Sequence, residues 1–461
     1  MNLDVVILAA GKGTRMRSQH AKVLHTLAGS SLIEHVMRTA AELKPRNLAV
    51  VVGHAAREVQ AHVGDGPIWV QQTQQLGTGH AVKLAVEQLP DDGVVLVLYG
   101  DVPLVTLDAL QRAIEAAARG GLGVITAEFY DPAELGRIVR DESDRILGIV
   151  EYKDASEEQR AIREINSGII AAPGARLRKW LERIENDNAQ GEYYLTDIVA
   201  LAVSDGIDVE GVQAGDAQEV TGVNDRVQLA ELERFFQMRE AQRLMREGVT
   251  IADPERLDIR GHVSVGEDCY LDVNVVLQGA VTLGRGVHVG PGVVISDSEI
   301  GDNVEVHPHT VVEGAVVASN CSLGPFARIR AGTKLDDGVK IGNFVETKKA
   351  HLGAGTKASH LAYLGDAKVG AECNIGAGTI TCNYDGVDKH ETVIGDNVFI
   401  GTNSTLVAPV EVADDAFVAA GSSVTVKVER GDLAVGRAKQ RNIKGWKRPG
   451  QRGETDTQRK K

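Results

Sequence analysis

The sequence has little that would take it to a membrane, an oxidising compartment or a nucleic acid. Its four cysteines, Cys269, Cys321, Cys373 and Cys382, form no CxxC pair and no ligand-spaced cluster, so a zinc ribbon or disulfide framework is excluded and core-filling thiols in a reducing cytoplasm are expected. The opening MNLDVVILAAG is too short an apolar run to span a bilayer and carries no basic flank or cleavage site, so a cytoplasmic protein without a membrane partner is expected. Positive charge is in deficit: 50 Lys and Arg stand against 64 Asp and Glu, a net charge of −14. That balance argues against a nucleic-acid partner, and any phosphate-bearing substrate has to be met by local cations and a metal. With 461 residues, two or more domains are expected.

What is abundant is a repeat. Aliphatic residues return at every sixth position in Val265, Leu271, Leu277, Leu283, Val289 and Ile295, then after a slip of register in Leu323, Ile329, Leu335 and Ile341, and again from Ile394 through Ile400, Leu406, Val412 and Val418 to Val424. Six fits neither a helix nor simple strand alternation. It fits a β-solenoid of short flat strands, each coil burying its aliphatic row only against the coils above and below. The beat fails from Thr379 to Thr392, where an excursion containing Cys382-Asn383-Tyr384-Asp385-Gly386 is expected.

The first half reads as α/β. The run Asp4 to Ala10 stops at Gly11-Lys12-Gly13-Thr14-Arg15 and is followed by a helical pattern, the strand, glycine loop and helix that can cradle phosphate. The loop has neither the GxxxxGK[ST] nor the GxGxxG spacing. Asp101 ends the apolar strand Val94 to Tyr99, at the strand end where ligands of open α/β sheets bind, and is a hard oxygen ligand suited to Mg²⁺. From Asp225 to Glu247 the pattern becomes an amphipathic helix through Leu229, Leu232, Phe236, Met238 and Leu244.

The string LAAGKGTRMRSQHAKVLH resembles the signature of the sugar-nucleotide pyrophosphorylases, although Ala21 stands where that family commonly has proline. The resemblance implies a Rossmann-like nucleotidyltransferase domain with UTP contacts at Leu8, Ala9, Ala10, Gly11 and Lys22, and Arg15 and Lys22 as catalytic cations. QLGTGHA resembles the base-reading segment of uridylyl-transferring members and implies Gln72, Gly77 and Thr78. YGD and EVTGVN imply Tyr99, Gly100, Asp101 and Asn224, the last two as Mg²⁺ ligands. The segments around Gly136, Glu151 and Asn166, with Tyr194 and Thr196, resemble the family's sugar-binding segments.

The block GNFVETKKAHLG, SHLAYLGDA and NIGAGTITCNYDG resembles the acetyltransferase half of the bifunctional N-acetylglucosamine-1-phosphate uridyltransferase / glucosamine-1-phosphate acetyltransferases, and with the N-terminal motifs the resemblance covers nearly the whole chain. It implies a left-handed β-helix of hexapeptide repeats, assembled as a homotrimer with sites between subunits. His360 is the implied general base, a role open to a histidine side chain, with Glu346 to orient it. Arg330, Lys348, Tyr363 and Asn374 are implied to hold the sugar phosphate. Ala377, Asn383, Tyr384, Thr402, Ala420 and Arg437 are implied to hold acetyl-CoA, with Thr402 where the family often has serine.

The organisation expected is a uridylyltransferase domain over 1–224, a helical linker over 225–250, an acetyltransferase β-helix over 251–436 and a basic tail over 437–461, its final part disordered. The expected product is UDP-N-acetylglucosamine, which feeds peptidoglycan and lipopolysaccharide precursors. It is made by acetylating glucosamine-1-phosphate and then joining N-acetylglucosamine-1-phosphate to UTP. Two other readings are a single-activity nucleotidyltransferase with a regulator-binding solenoid, and a non-catalytic assembly subunit. The first is disfavoured by His360, Lys348, Arg330 and Asn383, the second by Arg15, Lys22, Asp101 and Asn224.

Overall fold

A computed structural model of the chain describes residues 1–449. It divides into two compact units, one of Met1–Arg246 with Asp253–His262, the other of Glu247–Ala252 with Val263 onward.

The first unit is built on a sheet of β1 (Leu3–Ala9), β2 (Asn47–Val52), β3 (Ile68–Gln71), β4 (Val94–Tyr99), β5 (Leu122–Glu128), β6 (Glu164–Pro173) and β7 (Val209–Gln213), in the order β7-β5-β6-β4-β1-β2-β3. β1 pairs in parallel with β2 and β4, while β6 runs antiparallel to β4 and β5. β1 reads as an unbroken apolar run because both faces are covered: Val5 and Ile7 pack into one core and Val6 and Leu8 into the other. Its C-terminal end lies beside that of β4, which brings the glycine turn next to Asp101. Helices α1 (Leu32–Glu42), α2 (Ala56–Val63), α3 (Thr78–Val86), α4 (Leu107–Ala118) and α5 (Asp197–Ser204) belong to this unit. Ser31 and Glu34 form a reciprocal capping box at the start of α1.

Helix α6 (Arg226–Arg246) is packed through Leu232, Gln237, Ala241 and Leu244, not through Met238 as its apolar pattern suggests. Gln237 is buried because its amide replaces a strand partner: it accepts from the Ile259 amide (2.7 Å) and donates to the Ile259 carbonyl (2.8 Å).

The second unit is a parallel β-helix in which each short strand pairs with its equivalent one coil on. One inward column runs Leu271, Val289, Val306, Leu323, Ile341, Ala358, Ile375, Ile400 and Val418. The slip of register comes from two corners that are one residue short, between Ile295 and Ile300 and between Val312 and Val317, each inward pair spanning five positions instead of six. The excursion is also shorter than its sequence suggests. Ile380–Cys382 is still a strand of the coil, with Thr381 inward and its hydroxyl donating to the Gly365 carbonyl (3.0 Å), so only 383–391 leaves the wall. Cys269, Cys321 and Cys373 are buried and Cys382 half-buried, all unpaired; burial pushes the Cys321 thiol up to about 11. The expected disordered end of the tail, Gln451 to Gln458, lies outside the described residues.

Candidate active sites

In the first unit a cleft of ≈ 310 Å³ opens over the ends of β1 and β4, walled by Leu8 to Gly11, Lys22, Gln72, Gly77, Thr78, Tyr99 and Asp101. Gly13 is needed at the turn: its φ is +58°, and a Cβ there would lie 2.6 Å from the Lys22 Cβ. Lys22 is thereby packed beneath the turn and points into the cleft, where its ammonium pairs with the Asp101 carboxylate and lies 3.4 Å from Asn224 Oδ1. A cation thus stands between two hard oxygens brought together from opposite ends of the unit's sequence. No cluster of three or more Asp, Glu, His or Cys that could ligate a metal occurs among the described residues. The two oxygens of Asp101 and Asn224 fit Mg²⁺, which takes one or two protein ligands and completes its shell from phosphate and water. Arg15 is exposed on the turn Thr14–Met16 and lies outside the lining of this cleft.

Tyr99 lines the same cleft. Burial raises its phenol pKa first, and the charges of Glu151 and then Asp101 raise it further. Glu151 accepts from Thr196 Oγ1 (3.0 Å), and its carboxyl is raised mainly by burial. The Gly136 carbonyl accepts from the Asn166 amide (2.9 Å), and a Cβ on Gly136 would press on the Glu151 carboxylate at 3.3 Å. Gly136, Glu151, Asn166 and Thr196 therefore converge. Tyr194 is a step removed, its hydroxyl donating to Asp154 (3.4 Å).

Sequence reading missed Asp197, whose carboxyl is pushed up to about 6 from 3.8 by burial first and Asp154 second. Below about 3.8 the native and unfolded carboxyls are both protonated; as pH rises to about 6 only the unfolded one ionises, so native stability falls through that window. Asp197→Asn is expected to stabilise the chain above pH ~6 by about 1 kcal/mol, the full shift being discounted for partial exposure. Thermal midpoints measured against pH check this: the gain over wild type should vanish towards the acid end.

In the solenoid His360 ends the strand Lys357–His360, and Asn343, its register partner one coil earlier, lies with Oδ1 2.7 Å from His360 Nδ1. This corrects the expected orienting role of Glu346. Glu346 starts the next strand round the corner and is bound to Arg330 (2.6 Å). Leu361 turns the corner at φ +48°, and Tyr363 begins the following strand. Arg330 and Lys348 stand on successive coils there. The Lys348 ammonium is lowered chiefly by Lys389, then by Arg330, marking a concentration of positive charge. Lys389, in the excursion, was missed by sequence reading, its only signal being a basic residue in a stretch that leaves the coil.

Following the same register upward from His360, Ala377, Thr402 and Ala420 occupy one corner on successive coils, and Arg437 Nη1 donates to the Ala420 carbonyl (2.5 Å). Asn374 is half-buried on the coil after His360. Asn383 is buried and donates to Asp366, whereas Tyr384 is exposed and bound only within its own loop, to the Gly386 carbonyl (2.6 Å). That loop is held by Asp385, whose carboxyl lies far below the usual range because His390 and then the Asp388 and Val387 amides bond to it.

Residues 5–186 match the MobA-like NTP transferase domain, 259–351 the GMPPB C-terminal domain and 391–426 the hexapeptide repeat of succinyl-transferase. A protein of Alkalilimnicola ehrlichii called bifunctional protein GlmU is 54% identical over 98% of this chain and 97% of its own length. Proteins of the same name from Marinobacter nauticus and Pseudomonas putida are 52% and 54% identical, each over 97% of this chain and 99% of their own. The chain belongs to the bifunctional GlmU family. It is accordingly an enzyme of two activities, with the NTP transferase match in the α/β unit and the hexapeptide-repeat match in a left-handed β-helix.

Proposed function

We propose that the β-helix acetylates glucosamine-1-phosphate from acetyl-CoA and that the α/β unit joins the resulting N-acetylglucosamine-1-phosphate to UTP, releasing pyrophosphate. What carries this reading is that each unit holds a separate set of groups matched to one reaction. These are the Lys22 ammonium between Asp101 and Asn224, and, in the other unit, the His360–Asn343 pair together with the cations Arg330 and Lys348.

At the α/β site a phosphate oxygen of the sugar phosphate attacks the α-phosphorus and the bond to pyrophosphate breaks, with no proton to move. Charge neutralisation and in-line placement do the work. Amides of Leu8 to Gly11 line the phosphate path, Lys22 meets the reacting phosphates and Arg15 the departing pyrophosphate. Gln72, Gly77 and Thr78 hold uracil; Gly136, Glu151 and Asn166 hold the sugar. Asp101 and Asn224 would hold Mg²⁺, which supplies positive charge on the reacting phosphates when bound.

At the β-helix, Arg330 as a forked donor and Lys348 as a point charge hold the sugar phosphate, with Tyr363 and Asn374 completing the pocket. His360 takes the proton from the substrate amine as its nitrogen attacks the thioester carbonyl, and the carbon–sulfur bond breaks to release CoA. Ala377, Asn383, Tyr384, Thr402, Ala420 and Arg437 hold the acetyl donor. The β-helices assemble as a homotrimer. In support, Phe326, Phe344 and Leu361 form an exposed apolar column on the His360 corner, with the two phenyl rings stacked at 5.5 Å. A cytoplasmic setting agrees with the unpaired cysteines, and among the described residues no helix is long and apolar enough to cross a membrane.

The test is product analysis with glucosamine-1-phosphate, acetyl-CoA, UTP and Mg²⁺. UDP-N-acetylglucosamine, CoA and pyrophosphate are expected together. Absence of CoA release would remove the acetyltransferase assignment, and CoA release without pyrophosphate would remove the uridylyltransferase one.

A further inference from the structure

Gln72 follows the end of β3, where its amide N–H donates to the Val52 carbonyl (2.8 Å), and the residue is 4% exposed at the wall of the nucleotide cleft. Both hydrogens of its amide group have partners. Nε2 lies 3.1 Å from the Gly77 carbonyl and 3.1 Å from His80 Nδ1. A carbonyl oxygen can only accept, which fixes which end of the amide faces Gly77. An amide nitrogen can only donate, so Nδ1 of His80 is the acceptor and the ring hydrogen sits on Nε2. Oε1 is left over, a pure acceptor, for the cleft.

His80 itself lines a different cavity, with Leu76, Lys83 and Tyr193, and is absent from the wall of the cleft, which it meets through its bond to Gln72. Gly77 cannot move to make up for its loss: its φ is +109°, and a Cβ there would lie 2.5 Å from the Tyr193 carbonyl, so its backbone is clamped. Uracil carries a hydrogen on N3, whereas cytosine has a bare lone pair on the same atom. An amide locked with its oxygen outward therefore accepts from uracil and repels cytosine, and a site built to receive a hydrogen bond discriminates strongly against the analogue that lacks it.

We propose that His80 is a positioning residue for nucleobase selection, holding the Gln72 amide with Oε1 towards the base so that UTP is chosen over CTP. This rests on the uridylyltransferase reading of the α/β unit.

The experiment measures kcat/KM for UTP and for CTP, with preformed N-acetylglucosamine-1-phosphate and Mg²⁺, in wild type, His80→Leu and His80→Asn. In His80→Leu one of the two locks is gone. The UTP-to-CTP ratio is expected to fall roughly tenfold, about one neutral hydrogen bond, mostly through a higher KM for UTP. In His80→Asn the side-chain oxygen stands near the position of Nδ1, and the ratio is expected to recover to within about threefold of wild type. CoA release from glucosamine-1-phosphate, carried by the other unit, shows in each variant that the chain has folded. A His80→Leu ratio within about twofold of wild type, or an equal loss with both nucleotides, overturns the proposal. Failure of the wild type to turn over UTP at all would instead remove the reading on which it rests.

Discussion

His360→Ala is expected to lower CoA release from acetyl-CoA and glucosamine-1-phosphate by roughly 10²–10⁴-fold while leaving uridylyl transfer intact when N-acetylglucosamine-1-phosphate is supplied preformed. The reason is the protonation pattern imposed on the ring. Asn343 presents Oδ1 to His360 Nδ1 at 2.7 Å, so the hydrogen resides on Nδ1 and Nε2 keeps a free lone pair. His360 is exposed, so that lone pair is open to an incoming amine. An amine attacking a thioester has to lose a proton as the new carbon–nitrogen bond forms, and a methyl group at position 360 cannot take it. Asn343 should then matter through His360 alone. Asn343→Leu frees the tautomer and is expected to cost about tenfold. Asn343→Asp still accepts from Nδ1 and stabilises the protonated ring, so it should retain activity with the acid limb of the pH–rate profile moved upward. CoA release by His360→Ala within threefold of wild type would place the general base elsewhere.

How far the sequence was legible follows from how local each signal is. β1 could be read because Val5 to Leu8 are buried on both faces, which makes a continuous apolar run. The solenoid could be read because each coil repeats the same inward column. It became illegible where the inward residue is polar: Thr347 and Thr381 are fully buried, with hydroxyls bonded to the neighbouring Thr333 hydroxyl and to the Gly365 carbonyl, and so they interrupt the aliphatic beat without interrupting the coil. The same holds for Gln237, buried in α6 because a strand amide and carbonyl face it. Partnerships between coils were the hardest to foresee. Asn343 meets His360 through a register fixed by corner lengths that vary along the helix, and Lys389 approaches Lys348 from the excursion. Glu346, nearer to His360 in sequence than Asn343, is bound to Arg330 instead.

In the α/β unit, opposite effects on metal affinity are expected from two neighbours that both abolish catalysis. Asp101→Asn should reduce pyrophosphate release from UTP by about 10³-fold or more and weaken divalent binding, because it removes the only charged oxygen of the proposed pair. Lys22→Ala should slow the reaction to a comparable extent, since it takes away the cation aimed at the phosphates. Yet it should bind Mn²⁺, used as a spectroscopic probe, on the order of tenfold more tightly without nucleotide. The sign follows from position. The Lys22 ammonium pairs with Asp101 and lies 3.4 Å from Asn224 Oδ1, with only 14% of its side chain exposed, so the oxygens that would hold the ion are already engaged by a cation. Binding a divalent ion means turning that ammonium away, and the phosphates of the substrate give it somewhere to go. Metal and nucleotide should therefore bind cooperatively in wild type and lose much of that cooperativity in Lys22→Ala. Titration of Mn²⁺ with and without UTP measures it directly. If Lys22→Ala binds Mn²⁺ more weakly than wild type, the ammonium is supporting the metal site rather than competing for it, and Asp101 and Asn224 would not by themselves form the site proposed.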